Sequence, residues 1–161
     1  MKTTRARTKI SDRKRLAQHL ARERRRGRRV VFTNGCFDLL HVGHVRSLEQ
    51  AAQLGDILVV GVNRDRRVRA IKGAGRPVVP ERQRAEVVAA LDCVDHVALF
   101  GEETPMALIR ALRPDIVCKG AEYRSLPVPE KALIESLGGT FSFLRRIPGV
   151  RSTLLLDRAR R

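Results

Sequence analysis

Apolar residues along the chain alternate between two periods. The run at 29–33 is short, apolar and β-branched and reads as a buried strand, and the runs at 57–62, 96–100, 116–118 and 140–144 are further strand candidates. Between them Val42, Val45, Leu48, Ala51, Ala52 and Leu54 recur at helical spacing and predict a helix over 42–54. Further helices are predicted over 81–91, 105–112, 130–137 and 153–160. Strand and helix in regular alternation imply an α/β fold: a Rossmann-like, doubly wound parallel sheet of about five strands, with right-handed crossovers placing helices on both faces. Ahead of the first strand Leu16, Ala17, Leu20 and Ala21 recur at spacings of four, with Ser11 as the expected cap and Gly27 as the expected stop. Residues 1–28 are therefore expected to form a basic, partly helical extension to a single domain over 29–161. The segment 72–80, with two Gly and two Pro, is expected to be a loop that can close over a ligand.

Composition narrows this picture. A chain of 161 residues with 43% hydrophobic positions can build one sizeable core. It contains no uninterrupted apolar run of membrane-spanning length. No apolar stretch follows the basic N-terminus, so no secretory signal is read and a cytoplasmic location is expected. Cys36, Cys93 and Cys118 are odd in number and lack C-x-x-C spacing, which points to reduced, structural thiols. The net charge of +16 is concentrated at one end: residues 1–29 hold 13 Lys or Arg against Asp12 and Glu23, while the remainder holds 20 against 15 acids. The excess reads as a solvated leader. With aromatics at 4% and no zinc, helix-turn-helix or RNP signature, no specific nucleic-acid partner is expected.

The chemistry concentrates in Thr33-Asn-Gly-Cys-Phe-Asp-Leu-Leu-His-Val-Gly-His44, which falls between the first strand and the next helix. A helix start leaves backbone N–H groups unpaired and carries the positive end of the macrodipole, so it favours a phosphate. His41 and His44, at i and i+3, can share one face there, and Gly43 lets a ligand approach the backbone. Asn34, Gly35, Cys36 and Phe37 form the turn, and Asp38 is expected to organise it by accepting hydrogen bonds from nearby N–H groups, a contact to metal being the alternative. Asn63 and Asp65 end the second strand, on the sheet edge where open α/β folds bind ligands.

The run Gly35-Cys-Phe-Asp-Leu-Leu-His-Val-Gly-His44 resembles the H-x-G-H signature of the cytidylyltransferase-like nucleotidyltransferases. Together with Val31–Asp38, Lys72-Gly-Ala-Gly-Arg-Pro77 and Lys119-Gly-Ala-Glu-Tyr123, it is most similar to the adenylyltransferase domains of ADP-heptose synthases. The resemblance implies transfer of a nucleoside monophosphate from ATP to a sugar phosphate such as heptose 1-phosphate, with release of pyrophosphate. It implies catalytic roles for His41, His44 and Lys72, and nucleotide contacts from Thr33, Asn34, Gly35, Cys36, Phe37, Gly43, Arg84, Lys119, Gly120, Glu122, Ser152 and Thr153. Acceptor contacts would come from Asp38, Asn63, Asp65 and Arg76. Two departures stand out: Ala121-Glu122 replaces the usual Gly-Asp, and Arg151 replaces the first serine of a Ser-Thr-Thr helix start. Magnesium is expected as a cation bridging phosphates, with no dedicated protein cage. The resemblance also implies a homodimer. The alternatives are a CTP-dependent cytidylyltransferase for glycerol 3-phosphate or a similar polyol phosphate, and, from another class, a nucleic-acid-associated protein using the basic leader. A dinucleotide-dependent dehydrogenase ranks last, because Gly-x-Gly-x-x-Gly is absent after the first strand.

Overall fold

The computed structural model describes residues 5–145 together with 147, 148, 155, 156 and 159. Five strands, β1 (Val30–Gly35), β2 (Ile57–Asn63), β3 (His96–Phe100), β4 (Ile116–Gly120) and β5 (Thr140–Leu144), form one sheet in the order β3-β2-β1-β4-β5. All neighbours are parallel. The helices are α1 (Arg5–Thr8), α2 (Arg13–Arg25), α3 (Val42–Ala52), α4 (Asp65–Lys72), α5 (Glu81–Ala89), α6 (Met106–Leu112) and α7 (Pro129–Ser136). This is the Rossmann-like α/β sheet expected from the alternation. Of the helix expected over 153–160, residues 155, 156 and 159 are described and are helical.

Alternating strand side chains feed two cores. On one face Leu58, Val60 and Val62 of β2 meet Leu48 and Ala51 of α3 and Ala85, Val88 and Ala89 of α5. On the other, Ile57 and Val59 join Phe32, Phe100, Leu108, Ile109, Leu112 and Ile134. All seven residues of β2 are buried, as period-two alternation requires of a strand covered on both sides. Gly61 is needed there because a Cβ would lie 2.9 Å from the Phe32 ring and 3.2 Å from that of Phe100.

Two sequence expectations change. The leader is not a solvated extension. Leu16 and Leu20 of α2, 1% and 0% exposed, pack into the same core as Val30, Phe32 and Leu112. Its cap is Asp12 rather than Ser11: the Asp12 carboxylate accepts the Arg15 N–H at 2.9 Å. Ahead of it, Ile10 pairs in parallel with Val97 and extends the β3 edge. The second change is α4, which places Asp65 at a helix start rather than at a strand end, and Lys72 as the last helical residue rather than within a loop. That helix buries only Val68, and its apolar pair Val68 and Ile71 is a short stripe among five charged residues; the further signals for it are Asp65 in its first turn, Arg69 and Lys72 in its last, and Gly73 at φ 88° just beyond its end.

The packing of α2 has a measurable consequence. Leu20→Ala is expected to lower unfolding stability by about 2–5 kcal/mol, while Gln18→Ala on the exposed face changes it by less than about 0.5 kcal/mol. Urea unfolding of the two variants distinguishes a packed leader from a solvated one, for which both substitutions would be silent.

Candidate active site

The sheet opens at the point where its strand order reverses. β1 follows β2 from Val30↔Ile57 to Gly35↔Val62, and β4 follows β5 from Ile116↔Thr140 to Gly120↔Leu144. Between β1 and β4 the register holds only at Val31↔Ile116 and Phe32↔Val117. Beyond it the strands part, and the buried Thr33 hydroxyl donates to the Cys118 carbonyl at 3.0 Å. Thr33 thus closes the floor of a crevice at the topological switch point, where open α/β sheets bind ligands.

The turn after β1 delivers the histidines to this crevice. Phe37 takes a left-handed backbone, φ 49°, and is buried. A Cβ on Gly35 would meet its ring at 3.0 Å, so the turn closes tightly only with glycine at that position. His41 is the N-cap of α3, and the N–H groups of Val42 and Gly43 follow it in the first turn without intrahelical acceptors. His41 and His44 stack with ring centroids 3.9 Å apart and planes at 21°, and Phe37 lies 5.3 Å from His44. Burial lowers the pKa of both imidazoles, and the Lys72 charge lowers them further. His44, also facing His41, is lowered to about 4. Both rings are therefore neutral at physiological pH in the ligand-free protein. Their Nδ1 atoms, together with Asn34 Oδ1 and one terminal nitrogen of Arg76, are buried without hydrogen-bond partners. The stacked histidines thus present two such atoms side by side, which marks a site whose polar complement comes from outside the chain.

Beneath this surface lies Arg84, 1% exposed. Its guanidinium donates to the carbonyls of Val79 (2.8 Å), Cys36 and Asn63 (2.7 Å) and to the Asp65 carboxylate (2.7 Å). Sequence resemblance implies nucleotide and acceptor contacts for Arg84 and Asp65, and the structure shows the two paired with each other. Asp38 is also committed: it accepts the N–H groups of Val78 (2.8 Å) and Val79 (3.0 Å) and an ion pair from Arg76. Burial opposes its ionisation, but those amides and Arg76 prevail and hold its pKa below the ordinary value. Asp38 thus pins the 73–80 segment rather than ordering its own turn, and Arg76 faces Asp38. Asn63 is buried, its carbonyl on Arg84 and its side-chain oxygen 3.9 Å from Cys36 Sγ. Burial raises the Cys36 pKa against the pull of Lys72, Arg84 and Arg76, so the side chain remains a thiol.

Across the crevice, Lys119 and Gly120 end β4. The Lys119 ammonium pairs with the buried Glu130 carboxylate at 2.6 Å and lies 4.8 Å from the Tyr123 ring centroid. Glu130 escaped sequence reading, because an acid in the first turn of a helix reads as a complement to the dipole. Glu122 is exposed, with its carboxylate folded against the Cα side of Gly120. Arg151, Ser152 and Thr153 lie outside the described residues.

A parallel sheet opening at a switch point, with paired histidines at the first helix start, defines a class. The cytidylyltransferase-like family profile matches residues 32–143, and the chain belongs to that family, a nucleotidyltransferase by class. Individual relatives sharpen the comparison. The chain is 49% identical over 151 residues to the bifunctional protein HldE of Syntrophotalea carbinolica, covering 94% of this chain and 31% of that protein. Against the bifunctional protein HldE of Methylobacillus flagellatus it is 53% identical over 130 residues, covering 81% of this chain and 26% of that protein. It thus spans about a third or less of the length of the curated relatives it matches. Among solved structures, the lipopolysaccharide core biosynthesis protein of Thermoplasma volcanium superposes with a TM-score of 0.61 at 31% identity, covering 77% of this chain and all of that one.

Two outcomes are expected of this geometry. Arg84→Met leaves three carbonyls and a carboxylate without their donor and should cost about 3–5 kcal/mol in denaturant unfolding, with Arg84→Lys recovering only part because it lacks the planar fork. The second concerns pH. Above 6.5 His44 is neutral whether folded or unfolded, and its contribution to stability is at its full value. As pH falls toward about 4 the unfolded chain takes up a proton that the folded site refuses, so stability declines. His41 acts in the same direction. His44→Gln should flatten this decline in urea midpoints followed across that window, and an equally steep decline would show the ring to be solvated.

Proposed function

We propose that the crevice binds a nucleoside triphosphate, in the first instance ATP, and transfers its nucleoside monophosphate to a sugar phosphate, with heptose 1-phosphate as the preferred acceptor. The observation that carries this reading is the stacked, neutral histidine pair with unpartnered Nδ1 atoms at the start of α3, under the charge of Lys72. The preference for a heptose acceptor is supported by relatives named HldE and by a structural relative titled as a lipopolysaccharide core biosynthesis protein.

In this reaction an oxygen of the acceptor phosphate attacks the α-phosphorus, the new P–O bond forms, and the bond to the departing pyrophosphate breaks. The attacking phosphate is already ionised near neutral pH, so the demand on the protein is alignment and stabilisation of charge on the transferring group. His41 and His44 donate ring N–H bonds to the triphosphate. The Val42 and Gly43 amides add backbone donors and the positive end of the α3 dipole. Lys72 supplies a mobile cation over the phosphates, from the end of α4 beside Gly73. Asn34, Gly35, Phe37, Lys119, Gly120 and Glu122 line the nucleoside side, and the family resemblance adds Ser152 and Thr153 as nucleotide contacts. Thr33, Cys36, Asp38, Asn63, Asp65, Arg76 and Arg84 act from beneath, by fixing the crevice and its loop. Among the described residues no three His, Cys, Asp or Glu side chains gather as a metal site, and Asp38 and Asp65 are spent on arginines. The magnesium that accompanies triphosphate chemistry would therefore be held chiefly by phosphate oxygens.

The test is pyrophosphate release with magnesium, crossing ATP and CTP with heptose 1-phosphate and glycerol 3-phosphate. Release with ATP and heptose 1-phosphate is expected, and release confined to CTP with glycerol 3-phosphate would replace this reading by a polyol-phosphate cytidylyltransferase. His44→Ala should lower turnover by roughly 10²–10³-fold, the effect of removing one charge-stabilising donor, with the fold retained by circular dichroism. Near-normal turnover in that variant would remove the histidine pair from the mechanism.

A further inference from the structure

The leader builds a second concave site, at the opposite rim of the sheet from the histidine pair. His96 is the first residue of β3, whereas His41 follows the last residues of β1, and the strands are parallel. A groove of about 200 Å³ lies between the segment before α2, α2 itself and the start of β3, lined by Thr8, Ser11, Arg15, His19, Arg22 and His96. Its walls are fixed by backbone: Ser11 N–H donates to Val97 O at 3.0 Å, and Val97 N–H donates to Lys9 O at 2.9 Å. Arg15, His19 and Arg22, at i, i+4 and i+7, stand on one face of α2.

Several of the leader's cations are committed to carboxylates elsewhere. Arg7 is paired with Glu86, Arg13 with Glu102, and Arg26 and Arg28 with the buried Glu23. Among the described residues the guanidinium groups of Arg15 and Arg22 form no ion pair and no hydrogen bond. No carboxylate lines the groove. His19 and His96 meet edge to face with centroids 4.8 Å apart, and His96 Nδ1 is buried without a partner. The Thr8 hydroxyl donates to the Arg5 carbonyl at 2.8 Å, which leaves two uncommitted guanidiniums, two imidazoles and the Ser11 hydroxyl around one concavity as donors for which a tetrahedral oxyanion supplies acceptors.

We propose that this groove binds a phosphate group, as the free anion or as a small phosphate monoester, at a site separate from the crevice. Arg15 and Arg22 provide the charge, and Ser11 and the two imidazoles complete the shell. The inference stands whether or not the crevice performs the proposed reaction.

The chain's histidines make the test selective, since it holds four: His19 and His96 in the groove, His41 and His44 in the crevice. Side-chain NMR of the histidines, assigned by single His→Gln variants, is followed on titration with inorganic phosphate and, separately, with glucose 1-phosphate, against chloride at matched ionic strength. The signals of His19 and His96 are expected to move together and saturate with at least one of the two, and whichever is bound identifies the form of phosphate taken. Arg15→Gln combined with Arg22→Gln, both at exposed positions, should weaken that response by roughly tenfold or more and leave the His41 and His44 signals as they were. Movement confined to His41 and His44, or an unchanged groove response in the double variant, would overturn the proposal.

Discussion

The buried guanidinium of Arg84 holds together the chain segments from which the histidine pair hangs. It reaches the carbonyl of Cys36 after β1, the carbonyl of Asn63 at the end of β2, the Asp65 carboxylate at the start of α4 and the carbonyl of Val79 ahead of α5. These groups would otherwise be buried acceptors at the ends of elements, each costing free energy if left unmade. A planar fork with five donors can serve several such acceptors at once, and a lysine cannot. Because the Cys36 carbonyl is one of them, the path of the turn that leads to His41 is set from below. The same turn is held from the side by Asp38, whose carboxylate takes two amides and a guanidinium from the 73–80 segment. The crevice rests on two buried charges of opposite sign, each fully engaged with protein groups.

That arrangement explains the electrostatics above it. With Arg84 and Arg76 neutralised by their partners, burial and the Lys72 charge favour the neutral form of both rings, and His41 adds to this at His44. A neutral imidazole still donates one N–H.

The fold was legible because the central strands β1, β2 and β4 are rich in β-branched residues and the longer helices carry apolar stripes, so the alternation could be read directly. β1, β2, β3, β4 and β5 all fall on predicted runs, while α4 escaped because its apolar pair Val68 and Ile71 is too short a stripe to stand out among five charged residues. The histidine pair was legible as chemistry, through its spacing at a strand-to-helix junction. The roles of Arg84, Asp38 and Asp65 were not. Resemblance can locate such residues near a site, but whether they face the ligand or each other depends on backbone carbonyls and amides from distant segments, which no side-chain pattern records. Glu130 was invisible for the same reason: its partner Lys119 lies on another element.

The leader shows how charge and hydrophobicity can mislead when read separately. By charge alone residues 5–29 look solvated, yet one face of α2 carries Leu16 and Leu20 into the core while the other carries arginines outward. An amphipathic helix packed on the sheet fixes the direction in which its cations point, and that turns a diffuse excess of charge into defined positions. Several are spent locally: Arg24 donates to the Leu112 carbonyl at 2.7 Å, and Arg28 to the Asp56 carbonyl at 3.1 Å, tying the helix to neighbouring elements. Of the cations left over, Arg15 and Arg22 stand seven residues apart on α2 and line one groove with the His19 and His96 rings, so the packing that buries the leader's leucines also brings two unpaired guanidiniums to a single concavity.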